Sequence, residues 1–237
     1  MKKKSLIALV PFLLIAVCIA SILGVAVKVE STAVAAAATA DLPLIILDPG
    51  HGGIDGGATS DSGLVEKDIN LAIALNLRDM LQASGYPVIM TRETDCSIHD
   101  NNASTVREIK VSDIHNRLKV MQEHPGSIFI SIHENHFTQS KYWGAQFFYS
   151  TAESSSKALA EQLRLAFCTQ LQPQNTREIK PSGSEIYLMY HANTTAVLAE
   201  CGFLSNGEEA AKLATADYQK QVAFSLFCGI LNYGAAN

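Results

Sequence analysis

Three apolar runs carry the pattern of this chain. Leu44-Ile45-Ile46-Leu47 is followed at once by Asp48-Pro49-Gly50. Proline cannot continue a ladder and glycine permits positive φ, so the run predicts a short buried strand with His51 just past its end, on a glycine-rich loop. Ser127–Ile132 is a second β-rich run and ends in His133; Thr195–Ala199 is a third and ends in Glu200. Between them the spacing turns helical. Leu71, Ala74, Leu75, Met80 and Leu81 predict a helix from Glu66 to Ser84, closed by Gly85. Tyr86 to Thr91 reads as a strand, residues 96–111 as a polar surface loop, and Asp113 to Glu123 as a helix stopped by Pro125-Gly126. Ala145 to Tyr149 alternates as a strand, and Ser154 to Leu171 repeats as a helix. A loop is expected over 172–184, a short strand over Glu185 to Met189, and helices over Glu208 to Leu213 and Asp217 to Tyr233. Strands alternating with helices predict a single α/β domain, a twisted and mostly parallel sheet flanked by helices.

The amino terminus follows another rule. Met1-Lys2-Lys3-Lys4 is basic, and Leu6 to Val27 is apolar or small without charge. The run is long enough to span a bilayer, and it also fits a secretory signal, with Ala38-Thr39-Ala40 as an A-x-A cleavage pattern before Asp41. Residues 1–40 are therefore expected to be a signal peptide or membrane anchor with an alanine-rich linker, and 41–237 the catalytic domain. Lysines at the start leave the amino terminus in the cytoplasm, so the domain is extracytoplasmic in either case, secreted or anchored, with membrane contact only through this segment. Residues 1–40 take four Lys and one Glu from the chain's 18 basic and 23 acidic residues, which leaves the domain at −8. That charge argues against a nucleic-acid partner. Cys96, Cys168, Cys201 and Cys228 are widely spaced, without the pairing of a zinc ribbon or disulfide framework.

Ligands collect outside the carboxyl ends of strands in α/β sheets. Two histidines and two glutamates, His51, Glu66, His133 and Glu200, are expected to converge there. Two imidazoles and a carboxylate form a ligand set for catalytic zinc with a position left for water. Such a metal makes water more acidic and polarises a carbonyl, and a further carboxylate can move the proton to a leaving amine. On this reading one Zn2+ is held by His51, Glu66 and His133, and Glu200 is catalytic.

Four stretches, taken in order, resemble a known family. Leu47-Asp48-Pro49-Gly50-His51-Gly52-Gly53, Glu66-Lys67-Asp68-Ile69-Asn70-Leu71, Ser131-Ile132-His133-Glu134-Asn135 and Glu200-Cys201-Gly202-Phe203-Leu204-Ser205-Asn206 are similar to successive motifs of zinc-dependent N-acetylmuramoyl-L-alanine amidases. Thr91-Arg92-Glu93-Thr94-Asp95 and Arg117 fit the same resemblance, which runs from about Leu44 to Tyr233. The link Lys141–Tyr149 resembles the spore-cortex branch, the germination-specific amidases. The resemblance implies a phosphorylase/hydrolase-like fold and hydrolysis of the amide between muramic acid and L-alanine of peptidoglycan. In the spore cortex that step precedes muramic δ-lactam formation. It also implies zinc on His51, Glu66 and His133, Glu200 as the catalytic carboxylate, and a possible supporting lipoprotein partner. The eleven residues between His133 and Ala145 leave no room for the inserted inhibitory helix of some relatives.

Other readings stand beside this one. A domain of the same fold could bind peptidoglycan without turnover. Cys201 with His133 as base would make a cysteine hydrolase, although alternation points Cys201 away from Glu200. Glu134 and His136 depart from the family pattern. Alternation turns Glu134 from His133 and predicts a solvated residue, with a role tuning the metal as the other reading. His99, His115, His124 and His191 read as solvated. Tyr142 and Trp143 either stack on sugar or anchor their loop.

Overall fold

The computed structural model describes residues 42–236, so the expected signal or anchor lies outside the described residues. Among the described residues no helix is long and apolar enough to cross a membrane. The chain runs β1 (Ile45–Pro49), α1 (Glu66–Ala83), β2 (Val88–Met90), α2 (Val106–Gln122), β3 (Ile128–Asn135) and β4 (Gln146–Tyr149). It continues through α3 (Ser155–Gln170), β5 (Lys180–Pro181), α4 (Tyr187–Tyr190), β6 (Thr195–Phe203), α5 (Gly207–Leu213) and α6 (Ala216–Ala236).

The six strands form one sheet in the order β2-β1-β3-β6-β4-β5. All neighbours are parallel except β4 and β6. The expected α/β architecture with a mostly parallel sheet is therefore what forms. Alternation divides the core between the faces. Ile45, Leu47, Ile130, Ile132, Val197 and Ala199 pack against Ile73 and Leu77 of α1, Leu163 and Phe167 of α3, and Leu226 and Ile230 of α6. Ile46, Phe129, Ala196 and Leu198 pack against Leu118 and Met121 of α2 and against Leu188 and Met189 of α4. The chain leaves β1 for β2 on one side and returns to β3 on the other, so α1 and α2 cover opposite faces. The crevice beyond the carboxyl ends of β1 and β3 is the switch point of such a sheet.

Three expectations fail locally. The polar stretch read as a loop over 96–111 holds the first two turns of α2, which starts at Val106 rather than Asp113. A capping box starts it: Glu108 N–H donates to Thr105 Oγ1, and the Glu108 carboxylate accepts from the Thr105 N–H at 2.9 Å. The stretch 185–189 is not a strand but leads into the helical turn α4. Leu188 and Met189 are adjacent and both buried, which alternation on one face does not allow. The added strand is β5, two exposed residues at the sheet edge within the expected 172–184 loop, where Pro181 is tolerated.

Candidate metal centre and active site

Backbone carbonyls held by two buried arginines fix the loop after β1. Arg92 donates from Nε to Pro49 O and from Nη2 to Gly50 O, both at 3.0 Å. Arg117 donates from Nη1 to Pro49 O at 2.9 Å and from Nη2 to His51 O at 2.7 Å. Arg117 also meets Asp48 Oδ1 at 2.6 Å, and Thr91 and Ser131 donate hydroxyl protons to the same carboxylate. This lattice holds His51 at φ 61, a left-handed conformation that L residues rarely adopt. The His51 imidazole meets that of His133 edge to face, with ring centroids 4.9 Å apart.

Glu66 is the first residue of α1 and is buried. Its Oε1 lies 3.2 Å from His51 Nε2 and 3.0 Å from His133 Nδ1. Ala58 N–H donates to Oε2 at 2.7 Å, and Asn70 Nδ2 donates to Oε1 at 3.3 Å. One donor atom from each of His51, Glu66 and His133 lies within 4.8 Å of the others. Gly50 makes room for this approach, because a Cβ there would overlap the His133 imidazole. Glu200 stands opposite His133 in the β3–β6 register, on the same face. The structure thus brings together all four residues expected from the sequence.

Asp55 was missed by sequence reasoning. Its Oδ2 lies 2.9 Å from His51 Nδ1, and Lys110 Nζ is 2.7 Å from Oδ1. A carboxylate on one imidazole nitrogen fixes the tautomer and leaves the other nitrogen for a metal. The available signal was an aspartate four residues after the loop histidine, close enough for its side chain to turn back.

Electrostatics separate the carboxylates. Burial opposes charge on His51, but the Asp55 and Glu66 contacts outweigh it and raise its pKa to about 9. Burial would raise Glu66; His133 and His51 outweigh that and hold it well below the usual range, as an anion. Burial raises Glu200 to about 7, with Glu66 adding to the rise and His133 opposing it. One group is therefore a fixed anion and the other a carboxylate that exchanges a proton near neutrality. The donor set suits zinc: two imidazoles, one of them oriented by Asp55, with a carboxylate between them.

The expectation that Glu134 is solvated is wrong. It is 3 % exposed, and both its carboxylate oxygens are buried without a hydrogen-bond partner. Alternation does turn it from His133, but that face is covered even at the strand end. Burial, then Glu200, Glu66 and Glu209, push its carboxyl far up, so it is held neutral. Cys201 shares the covered face. It is fully buried, and burial and the nearby carboxylates push its thiol up, which removes the conditions a cysteine nucleophile needs.

A family pattern described as N-acetylmuramoyl-L-alanine amidase (Amidase_3) matches residues 45–232. The chain belongs to the N-acetylmuramoyl-L-alanine amidase family. Like other amidases of this family, it is an enzyme that cleaves the bond between N-acetylmuramic acid and L-alanine in peptidoglycan. It is 38 % identical over 190 residues to the germination-specific N-acetylmuramoyl-L-alanine amidase of Bacillus subtilis, covering 80 % of this chain and 79 % of that one. The CwlD amidase of Clostridioides difficile, solved in complex with the GerS lipoprotein, superposes with a TM-score of 0.79 at 41 % identity. That match covers 82 % of this chain and all of the other. The amidase AmiC2 of Nostoc punctiforme gives a TM-score of 0.70 at 27 % identity, over 81 % of this chain and 97 % of that one. Amidases of this family are metal-dependent, and His51, Glu66 and His133 form a potential site for the metal.

Proposed function

We propose that His51, Glu66 and His133 of this amidase hold one zinc ion and that Glu200 moves the proton. The observation that carries this is the sharing of Glu66 Oε1 by both imidazoles, with Asp55 on the far nitrogen of His51. Zinc supplies Lewis acidity, polarising the amide carbonyl and making water more acidic. Glu200, with a pKa near neutrality, takes a proton from the attacking water and delivers it to the departing L-alanine nitrogen. Asp55 holds the His51 ring, and the arginine-held carbonyls hold its backbone.

The branch of the family points to the spore cortex as substrate, where removal of the peptide precedes muramic δ-lactam formation. The reading is supported by the likeness to the germination-specific enzyme and by the short link after β3, which forms no helix between Asn135 and Gln146. Peptidoglycan lies outside the cytoplasm, and the forespore intermembrane space is the location that fits a cortex substrate. The Clostridioides difficile relative was solved with a lipoprotein, which supports an accessory lipoprotein for this chain as well.

The test is mass spectrometry of peptidoglycan digested by the zinc-loaded full chain, beside its Glu200→Ala form. Glycan strands stripped of peptide and new L-alanine amines are expected from the first and not from the second. Equal release by both would remove Glu200 from the mechanism. No release from either, even with an accessory lipoprotein added, would leave a peptidoglycan-binding module.

A further inference from the structure

The link between β3 and β4 exposes three aromatic rings, Phe137 (47 %), Tyr142 (37 %) and Trp143 (42 %). Phe137 and Tyr142 pack edge to face with centroids 5.1 Å apart, Lys141 Nζ lies 5.4 Å from the Tyr142 centroid, and Trp143 has no such ring partner within the link. The backbone here is held by polar side chains from elsewhere in the fold. The Glu209 carboxylate accepts from Gly144 N–H, and Gln172 Oε1 accepts from Ala145 N–H at 2.8 Å. Asn175 Nδ2 donates to Ala145 O at 2.9 Å, and Arg177 Nε donates to Trp143 O at 2.9 Å. Asn206 Nδ2 donates to Ser140 O at 2.8 Å. Glu209, Gln172 and Asn175 are all buried. Five polar anchors thus fix a loop whose rings keep part of their surface open to solvent, and ordering such a loop in advance lowers the cost of binding to it.

Its position is equally specific. Gln146, three residues after Trp143, pairs with Glu200 in the β4–β6 register. Glu209 also accepts from Phe203 N–H, three residues past Glu200. Trp143 is thus separated from the Glu200 register position by three residues, at most roughly 10 Å of chain. Trp143 borders a cleft of about 230 Å³ lined by Lys141, Tyr142, Asn175, Thr176 and Arg177. It also borders a cleft of about 790 Å³ lined by Gln172, Glu209, Thr215 and Tyr218, on the α3, α5 and α6 side of the sheet.

We propose that Trp143 and Tyr142 are a stacking platform for the glycan strand, binding sugar units beside the muramic acid whose amide is cut. Aromatic faces take the C–H faces of pyranose rings. The interleaved amide, hydroxyl and guanidinium groups take hydroxyl and acetamido groups. A protein-docking patch would be more continuous in its apolar surface than rings set among Lys141, Gln174, Thr176 and Arg177. The platform rests on the amidase reading for its neighbour site, yet it is separable from that reading by experiment.

The chain contains one tryptophan and seven tyrosines, so emission excited at the red edge, beyond tyrosine absorption, reports Trp143 alone. The full chain is titrated with a peptide-free tetrasaccharide of alternating N-acetylglucosamine and N-acetylmuramic acid, and separately with free stem peptide. A saturable emission change with the tetrasaccharide and none with the peptide is expected, weakened fivefold or more by Tyr142→Ala. Trp143→Ala should raise KM fivefold or more for long glycan strands relative to a single muramyl peptide. Phe224→Ala, an exposed ring on α6, should change neither quantity. Emission that responds to the peptide alone, or only to an accessory protein, would overturn the platform. So would silence with both ligands from a protein that still releases peptide. A response to the tetrasaccharide without any peptide release would keep the platform and refute the amidase reading.

Discussion

His51 carries the sharpest conflict of terms in the molecule. It sits in a strained backbone conformation, and Asp55 and Glu66 draw a proton onto it. A metal must displace that proton, because only neutral imidazole ligates. Below about 9 the metal-free His51 is protonated, so each unit of falling pH adds a further cost to binding. Apparent zinc affinity, measured by chelator competition between pH 6 and 9, should therefore fall about tenfold per unit as pH drops. A flat profile would contradict a metal-free His51 that holds its proton up to about 9 and must lose it on binding. Glu134 is the opposite case, a neutral carboxyl with no partner. Alternation in the sequence told which face it takes; it did not tell that the face is still covered at the end of β3.

The elements position the site through the arginine lattice. Burial pushes the Asp48 carboxyl up, and Arg117, Ser131 and Thr91 outweigh it, so the carboxyl is held below its ordinary value of 3.8. A depressed pKa contributes stability that is full above the unfolded value and is lost as pH falls towards the lower folded one. Arg117→Ala would leave Asp48 charged and unpaired between β1 and α2. It should cost about 3–5 kcal/mol in denaturant unfolding near neutrality. A loss under about 1 kcal/mol would show that the lattice is not what holds the loop. At this scale the sequence was legible where apolar runs end in Pro or Gly, as at β1, and where helical spacing is long, as in α1 and α6. It was illegible where polar chemistry did the work. Thr105 and Glu108 form a capping box inside a stretch whose polarity suggested a loop. The run before His191 packs as a single helical turn because tertiary burial outweighs its β-propensity.

Across the whole molecule, the site follows from topology. Three parallel strands end on one edge, the chain switches sides between β1 and β3, and α1 brings Glu66 to the same crevice. The convergence of His51, Glu66, His133 and Glu200 was legible because His51 follows a strand end, Glu66 starts a helix, and His133 and Glu200 each close an apolar run, although β3 continues to Asn135 and β6 to Phe203. Asp55 was not, because a loop-to-loop contact has no periodicity to reveal it.

The central claim, one zinc ion on His51, Glu66 and His133 with Glu200 outside the ligand set, is tested most directly by metal content. Zinc per chain is measured by elemental mass spectrometry after dialysis, for the wild-type chain, Glu200→Ala and His133→Ala. The arrangement predicts one zinc in the first two and loss from the third. Full occupancy in His133→Ala, or loss in Glu200→Ala, would contradict it.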